Sequence, residues 1–403
     1  MARFTLVCSA CERVHDPREK VQRCAACAEP LLARLDLSGA SWPPPPGRSP
    51  ARFRSVLPCG AVSDDITLGE GGTPLVRARS LGDELALPEL WFKCEGANPT
   101  GSFKDRGTLT GVLRARALGL SHVGTVSTGN MAVSVAAYAA RLGLRCLALA
   151  GAHVPVEKLA PVGLYGASVR RYDGDYGDLY VSSLRLARDL PLYMVNSDDP
   201  FRIEGQKLIL YEIVDQLGRS PDVVVVPVSS GGNISALLKA VEELLEIGAL
   251  SKPPLVVGVQ ASGCNPVASA FREGKATTTR VERPHTVAHA LTNPCPPSGA
   301  HVLRALRRRG GLMLDVSDRD ILMAQRDLAA TEGLWVQPDS ATTLAAVRRL
   351  VSEERVSRSQ HVVCVLTGHG CKDAAAVRHH ALPATATVSE RDLPALFEQF
   401  VRS

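Results

Sequence analysis

Short β-branched runs alternate with longer Ala- and Leu-rich stretches of helical period through most of the chain. Val123–Ser127 precedes Met131–Leu142, and Val223–Val228 precedes Ile234–Leu245. Gly-rich turns separate the members of each pair. A further apolar run, Val362–Leu366, ends in Thr367-Gly368-His369-Gly370. Alternating β and α units predict an α/β fold in which helices cover a largely parallel sheet. No internal repeat recurs at a 20–50-residue period. Ahead of this body, Trp42-Pro43-Pro44-Pro45-Pro46-Gly47 favours extended backbone and lacks amide donors, so it reads as a spacer.

Composition narrows the class. At about 150 residues per domain, 403 residues suggest two or three domains. Hydrophobic residues at 45% and charged residues at 22% exclude a disordered, fibrous or coiled-coil chain. The formal charge of +5 is spread along the sequence, so no nucleic-acid partner is implied. No apolar stretch reaches the roughly 18 residues of a membrane span, and the first residues lead into a Cys-rich segment instead of a signal sequence. The expectation is a cytoplasmic protein with no membrane partner. Eleven cysteines, odd in number and mostly scattered, argue against a disulfide framework.

Four cysteines are not scattered. Cys8-Ser-Ala-Cys11 and Cys24-Ala-Ala-Cys27 are two thiolate pairs, each able to clamp one side of a tetrahedral zinc ion. A ribbon this small cannot bury enough apolar surface to fold alone, so metal–thiolate bonding has to stabilise it. Chance repeats in a flexible tail are the plain alternative. A redox pair fits less well, because no βα pattern follows either.

In open parallel sheets, ligands bind at the carboxyl ends of strands, where turns expose amides and helix amino-termini. Three such turns stand out: Ser127-Thr128-Gly129-Asn130, Ser229-Ser230-Gly231-Gly232-Asn233 and Thr367-Gly368-His369-Gly370. None is a P-loop or a dinucleotide fingerprint, and each alone reads as an ordinary βα turn. A fourth stretch is Asn98-Pro99-Thr100-Gly101-Ser102-Phe103-Lys104-Asp105-Arg106-Gly107. Ser102 is the predicted N-cap of a helix running to about Leu118, with Lys104 in its first turn. The helix dipole there favours a neutral amine, the form needed to condense with an aldehyde. A solvated surface lysine is the alternative.

Together, and in this order, these stretches resemble the threonine synthases among the fold-type II pyridoxal-phosphate enzymes. Leu68-Gly69-Glu70-Gly71-Gly72-Thr73-Pro74-Leu75 and Arg202-Ile203-Glu204-Gly205-Gln206-Lys207 add to the resemblance, which runs from Cys8 to about Asp373. It implies a two-lobed, tryptophan-synthase-β-like architecture of open, largely parallel sheets behind an amino-terminal zinc ribbon. The lobes would be a large one at 51–98 and 196–380 and a small one at 99–195. A ribbon at 1–34, a Pro-rich linker at 35–50 and a tail at 381–403 complete the division.

The resemblance also implies roles. Lys104 holds the pyridoxal 5'-phosphate aldehyde and, once released, shuttles protons. Phe103 packs beside the cofactor, and Asn130 bonds its ring oxygen. Ser229, Ser230, Gly231, Gly232 and Asn233 cradle its phosphate, and Thr367 faces its pyridine nitrogen. Ser127, Thr128, Gly129 and Asn196 bind the substrate, an amino acid. The implied reaction is elimination and replacement on an activated amino acid: O-phosphohomoserine and water give threonine and phosphate. A homodimer is the expected assembly. A cysteate-synthase-like β-replacement, with phosphoserine and sulfite, is the second reading, and a non-catalytic binding or regulatory relative the third.

Several residues depart from the family pattern. Met131 replaces a Thr, so one hydroxyl near the substrate is missing. If the alignment holds in the small lobe, Pro161, Val162 and Ser168 stand where a Gln, a hydroxyl residue and an Arg would serve a substrate phosphate. Asp199 and Asp339 add carboxylates that would repel a dianion near that site. Arg170, Arg171 or Arg202 could serve the pocket instead. Cys264, Cys295 and Cys371 are expected to be buried small hydrophobes and His369 to be structural, while His289 stays undecided.

Overall fold

The computed structural model describes residues 3–402 apart from 59–61, 128, 153, 155 and 382–386. From the amino end come β1 (Phe4–Cys8), β2 (Val14–His15) and β3 (Leu31–Leu35). Next are β4 (Leu75–Arg77), α1 (Ser80–Glu84), β5 (Leu90–Cys94) and α2 (Lys104–Ala117). Strand and helix then alternate through β6 (His122–Val126), α3 (Asn130–Arg141), β7 (Arg145–Gly151), α4 (Val156–Leu164), β8 (Ser168–Tyr172), α5 (Tyr176–Ala187) and β9 (Leu192–Met194). The chain continues through α6 (Pro200–Gln206), α7 (Leu208–Leu217), β10 (Val223–Pro227), α8 (Gly232–Glu246), β11 (Leu255–Ala261) and α9 (Pro266–Arg272). It ends with α10 (Gly299–Arg309), β12 (Leu312–Val316), α11 (Asp318–Glu332), α12 (Pro338–Ser352), β13 (Val362–Leu366) and α13 (Leu393–Arg402).

Two open sheets form the body. One has six strands in the order β12–β11–β10–β13–β5–β4, parallel except for the antiparallel β4–β5 edge. The other has four strands, β8–β7–β6–β9, all parallel. The unbroken apolar run of β10 follows from its place inside the larger sheet. Val225 pairs with Val257 on one side and Cys364 on the other, and helices bury both faces of the strand. The turns that leave β6, β10 and β13 all lie at strand carboxyl ends. No helix among the described residues is long and apolar enough to cross a membrane.

The three-stranded ribbon sheet, β2–β1–β3, is antiparallel and does not hang free. Its buried Leu6, Leu31 and Ala33 belong to the same apolar core as the body, and the Phe4 ring meets Phe201 of α6 edge-on at 5.4 Å. The Pro-rich segment is anchored as well, with Trp42 tilted against Tyr211 at 6.2 Å. Burial of these aromatic faces holds down a stretch that sequence alone reads as spacer.

Helices α2 and α6 cross backbone to backbone. A Cβ on Gly205 would lie 2.0 Å from Arg106 O, and one on Gly107 would lie 2.7 Å from Arg202 O. Arg106, from the same turn of α2, spans two buried carboxylates. It meets Glu95 at 2.6 and 2.8 Å and Glu212 at 2.8 and 2.7 Å, and Lys93 meets Glu212 at 2.8 Å. Opposed charges surrounded by donors keep this buried group compensated.

Gly205→Ala is expected to force the two helices apart and to cost about 1–3 kcal/mol of stability. Gly163→Ala in α4, where nothing lies within 4 Å of an added Cβ, should not lower it. Denaturant midpoints measure both; equal midpoints for Gly205→Ala and the parent would refute the close-packing account.

Candidate functional site

Backbone hydrogen bonds stitch the Lys104 stretch to the turn after β13. Phe103 N donates to Thr367 O at 3.0 Å, His369 N donates to Gly101 O at 3.0 Å, and Ser102 faces Gly368 in an antiparallel bridge. The turn before α12 joins on the other side, where Gln337 N donates to Gly368 O at 3.1 Å. Asn130, first residue of α3, reaches Gln337 Oε1 through its amide nitrogen at 2.7 Å. Four segments distant in sequence thus converge on one place.

Helix α2 starts at Lys104, and its N-cap is Phe103, not Ser102. Ser102 is fully buried, and its hydroxyl has no hydrogen-bond partner among the described residues. The turn is held instead by Asp105, whose carboxylate accepts from Thr100 N at 2.7 Å, the Thr100 hydroxyl at 2.6 Å and the Ser134 hydroxyl at 2.6 Å. The Asp105 carboxylate thus ties the turn before α2 to α3, while no side chain caps the helix itself among the described residues.

Burial is the main cause that holds the Lys104 amine down, to about 7; the Arg202 guanidinium adds to it, and Asp339 opposes it. Desolvation, which the sequence does not reveal, thus leads the causes of the lowered amine. The amine lies 4.5 Å from the centroid of the Phe103 ring. Arg202 itself is fully buried, and burial lowers it to about 10 against the pull of Asp199, Asp198 and Asp105. Its Nη1 donates to Asn196 O at 3.4 Å, while Nε and Nη2 have no partner among the described residues.

The loop after β10 has the form of an anion cradle. Gly231 adopts the left-handed φ of +98° as N-cap of the 15-residue α8. A Cβ on Gly232 would lie 2.3 Å from Ser197 O, so only glycine fits. Ser230 Oγ accepts from the Asn293 amide at 2.9 Å. Both side-chain amide atoms of buried Asn233 are without a partner among the described residues, and Ser229, which opens this loop, is half-buried. Unsatisfied polar atoms at a helix amino-terminus suit a bound anion.

The Thr367 hydroxyl lies 3.2 Å from Ser340 Oγ, which also accepts from Gly368 N at 3.0 Å. Sequence reasoning passed over Ser340; the available signal was the Gln337-Pro338 turn, with Pro at the helix start, just ahead of it. Ser127 Oγ accepts from Gly129 N at 3.3 Å at the mouth of α3, and Asn196 Oδ1 accepts from Val126 N at 3.0 Å. Thr128 lies outside the described residues.

The two added carboxylates are turned to other uses. Asp199 caps α6, accepting from Phe201 N at 2.7 Å and Arg202 N at 3.0 Å. Asp339 Oδ1 accepts from Leu291 N at 3.1 Å, and burial raises this carboxyl to about 6. Val162 is in the core, while Pro161, Ser168, Arg170 and Arg171 are exposed, leaving Arg202 as the guanidinium beside Lys104. Cys264 is buried as expected, but Cys295, in the loop before α10, and Cys371, in the 3-10 helix Gly370–His379, are exposed. His369 is structural: its Nδ1 accepts from Cys371 N at 3.2 Å and its ring meets Trp335 edge-on. His289 is exposed in a short turn.

Cys8, Cys11, Cys24 and Cys27 bring their sulfurs within 4.8 Å of one another. Cys8–Cys27, Cys11–Cys24 and Cys11–Cys27 are separated by 3.3, 3.6 and 3.7 Å. Zinc bonded to four thiolates at ~2.3 Å places them about 3.8 Å apart, so the cluster fits that ion. Amides of Ala10, Cys11 and Ala26 point at the sulfurs at 3.4 Å, which favours the thiolate form.

Metal analysis should find about one zinc per chain, lost in Cys8→Ser, with cofactor absorbance retained; protein prepared without chelators and free of metal would contradict this. Lys104 makes a second, pH-dependent expectation for the cofactor-free protein. Between about 7 and 10.5 the unfolded chain holds a proton on this amine that the folded chain has released. Stability contributed at this position therefore rises with pH through that window. Urea midpoints at several pH values, compared with Lys104→Met, measure it; parallel curves for the two proteins would rule it out.

Comparisons with known proteins agree with this geometry. The pyridoxal-phosphate dependent enzyme family matches residues 66–368. The threonine synthase of Methanocaldococcus jannaschii is 42% identical over 330 residues, covering 81% of this chain and 82% of the relative. That of Methanosarcina acetivorans is 36% identical, covering 92% of each chain. Among solved structures, a T.th. threonine deaminase superposes with a TM-score of 0.61 at 30% identity, over 74% of this chain and 92% of that one. Maize serine racemase, at 21% identity and a TM-score of 0.64 over 76% and 93%, shares the fold. A buried near-neutral lysine, a glycine-built anion cradle and these relatives converge: the chain belongs to the pyridoxal-phosphate-dependent enzymes, and within them to the threonine synthase group.

Proposed function

We propose that this chain converts O-phosphohomoserine and water to threonine and phosphate. The observation that carries the reading is Arg202, a buried guanidinium beside Lys104 with Nε and Nη2 unpaired. An unpaired buried cation is costly, and an anionic group of the substrate would satisfy it in two places at once.

The chain's residues fit the cofactor. Lys104 would bond its aldehyde, and Phe103 and Asn130 would flank the ring. The Ser229–Asn233 loop would hold its phosphate on amides and on the unpaired Asn233 side chain, and Thr367, steadied by Ser340, would face the pyridine nitrogen. Pyridoxal phosphate, when bound, supplies an electron-withdrawing ring that stabilises negative charge at the substrate's α-carbon. Lys104, near neutral at physiological pH, can take a proton from substrate carbon and return it. Thr367 is a neutral hydroxyl and does not fix a full positive charge on the ring, a setting that favours elimination and replacement. Ser127, Thr128 and Gly129 at the amino-terminus of α3 would receive the substrate carboxylate, and Asn196 would line the same pocket. The free cysteines and the thiolate cluster suit a reducing cytoplasm.

Lys104→Ala should abolish both the absorbance at the visible edge and trapping by borohydride. Arg202→Met should cost about 2–5 kcal/mol of substrate binding. Single-turnover spectra separate the two enzyme readings: a lasting change with phosphoserine and none with O-phosphohomoserine would replace this proposal with β-replacement on phosphoserine.

A further inference from the structure

Two ribbon side chains reach the short helix that carries Arg202. Gln22 Nε2 donates to Asp199 Oδ2 at 2.7 Å and also to Met194 O. Arg23 Nη2 pairs with Asp198 and donates to Pro297 O at 2.9 Å. Asp199 uses its other oxygen on the first amides of α6, and Asp198 uses its own on the Tyr180 hydroxyl. The two consecutive carboxylates that lead into α6 are thus each held by the ribbon through one oxygen and by the body through the other.

The rest of this ribbon segment is tied down in the same region. Lys20 donates to Ala187 O at 2.6 Å, Leu192 O at 3.4 Å and Leu190 O. Arg114 of α2 donates to Glu19 O at 3.2 Å and to Pro17 O. Residues 17–23 therefore lie across the ends of α2, α5 and β9 and against the start of α6. Arg18, in their midst, points out and pairs with Asp16 at 2.7 Å.

Helix α6 has seven residues, Pro200–Gln206, and two of its first amides depend on the Asp199 cap. Burial already raises the Asp199 carboxyl to about 6, against the bond from Tyr193. Taking away the Gln22 donor would leave Oδ2 buried without that partner. The carboxylate would then protonate or rotate, and the cap would weaken. Arg202 is itself one of the capped amides, so a shift of the cap moves the guanidinium directly. A guanidinium moved off its position loses part of a two-point contact with an anion, a loss of binding that ground and transition states share.

We infer that Gln22 and Arg23 are positioning residues for the substrate's anionic group, acting through Asp199 and Asp198 on Arg202. The metal-clamped ribbon is then a working part of substrate recognition and not only a structural appendage. The inference rests on the proposed role of Arg202 as the anion's receiver.

The test uses the holoenzyme and inorganic phosphate as probe. Gln22→Met and Arg23→Met should each raise the dissociation constant of phosphate and the KM for O-phosphohomoserine about ten-fold, with kcat within about two-fold. Arg23→Lys should recover most of the loss, and Arg18→Met should match the parent. In an Arg202→Met background, Gln22→Met should add less than about two-fold. Chelation of zinc should weaken phosphate binding to the same degree with cofactor absorbance intact, and this arm decides the matter if the ribbon variants do not fold. Arg202→Met weakening phosphate binding while the ribbon variants do not, or ribbon effects that add fully to it or fall equally on kcat, would overturn the inference alone. Unchanged phosphate binding in Arg202→Met would remove the reading of Arg202 and the inference with it.

Discussion

The close approach of α2 and α6 is the constraint on which the site depends. Both helices present glycine at the crossing, so each backbone lies where the other's Cβ would be. That crossing brings Lys104, at the start of one helix, near Arg202, in the first turn of the other. Side chains of any size at Gly107 or Gly205 would separate the two charges. The Arg106 network in the same turn adds a second restraint, because its paired carboxylates are buried and cannot be moved to water without cost.

Burial raises the energy of both cationic side chains, their mutual repulsion adds to it, and the protein resolves this unequally. Lysine can shed its proton, and its amine falls to about 7. Arginine cannot in practice, so its charge persists. One pair of neighbours therefore provides both a near-neutral base and a fixed positive charge. Asp199, which caps the helix beneath Arg202, supplies a partly compensating negative charge without reaching the unpaired nitrogens.

Legibility in the sequence varied with the range of the interaction. The strand Val362–Leu366 and the βα turns at Ser127, Ser229 and Thr367 were readable, because periodicity and glycine chemistry are local. The N-cap expected at Ser102 falls at Phe103, since Ser102 is drawn into a bridge with Gly368, far along the chain. Asp199 and Asp339 looked like intrusions on an anion site. Their carboxylates are committed to a helix cap and to a loop amide, roles that depend on which backbone comes near. The Pro-rich stretch looked like a spacer because nothing local reveals that Trp42 meets Tyr211.

By itself, then, the sequence determined the alternating α/β order, the thiolate pairs, the lysine and the glycine-rich turns after the strands, all properties of residues within a few positions of one another. The tertiary structure alone decided which guanidinium lies near the lysine, which carboxylates are committed to backbone amides, and that the ribbon grips the start of the helix bearing Arg202. Those outcomes depend on burial and on contacts between residues far apart in the chain. Desolvation and hydrogen-bond satisfaction are set by three-dimensional surroundings, and no spacing rule contains them.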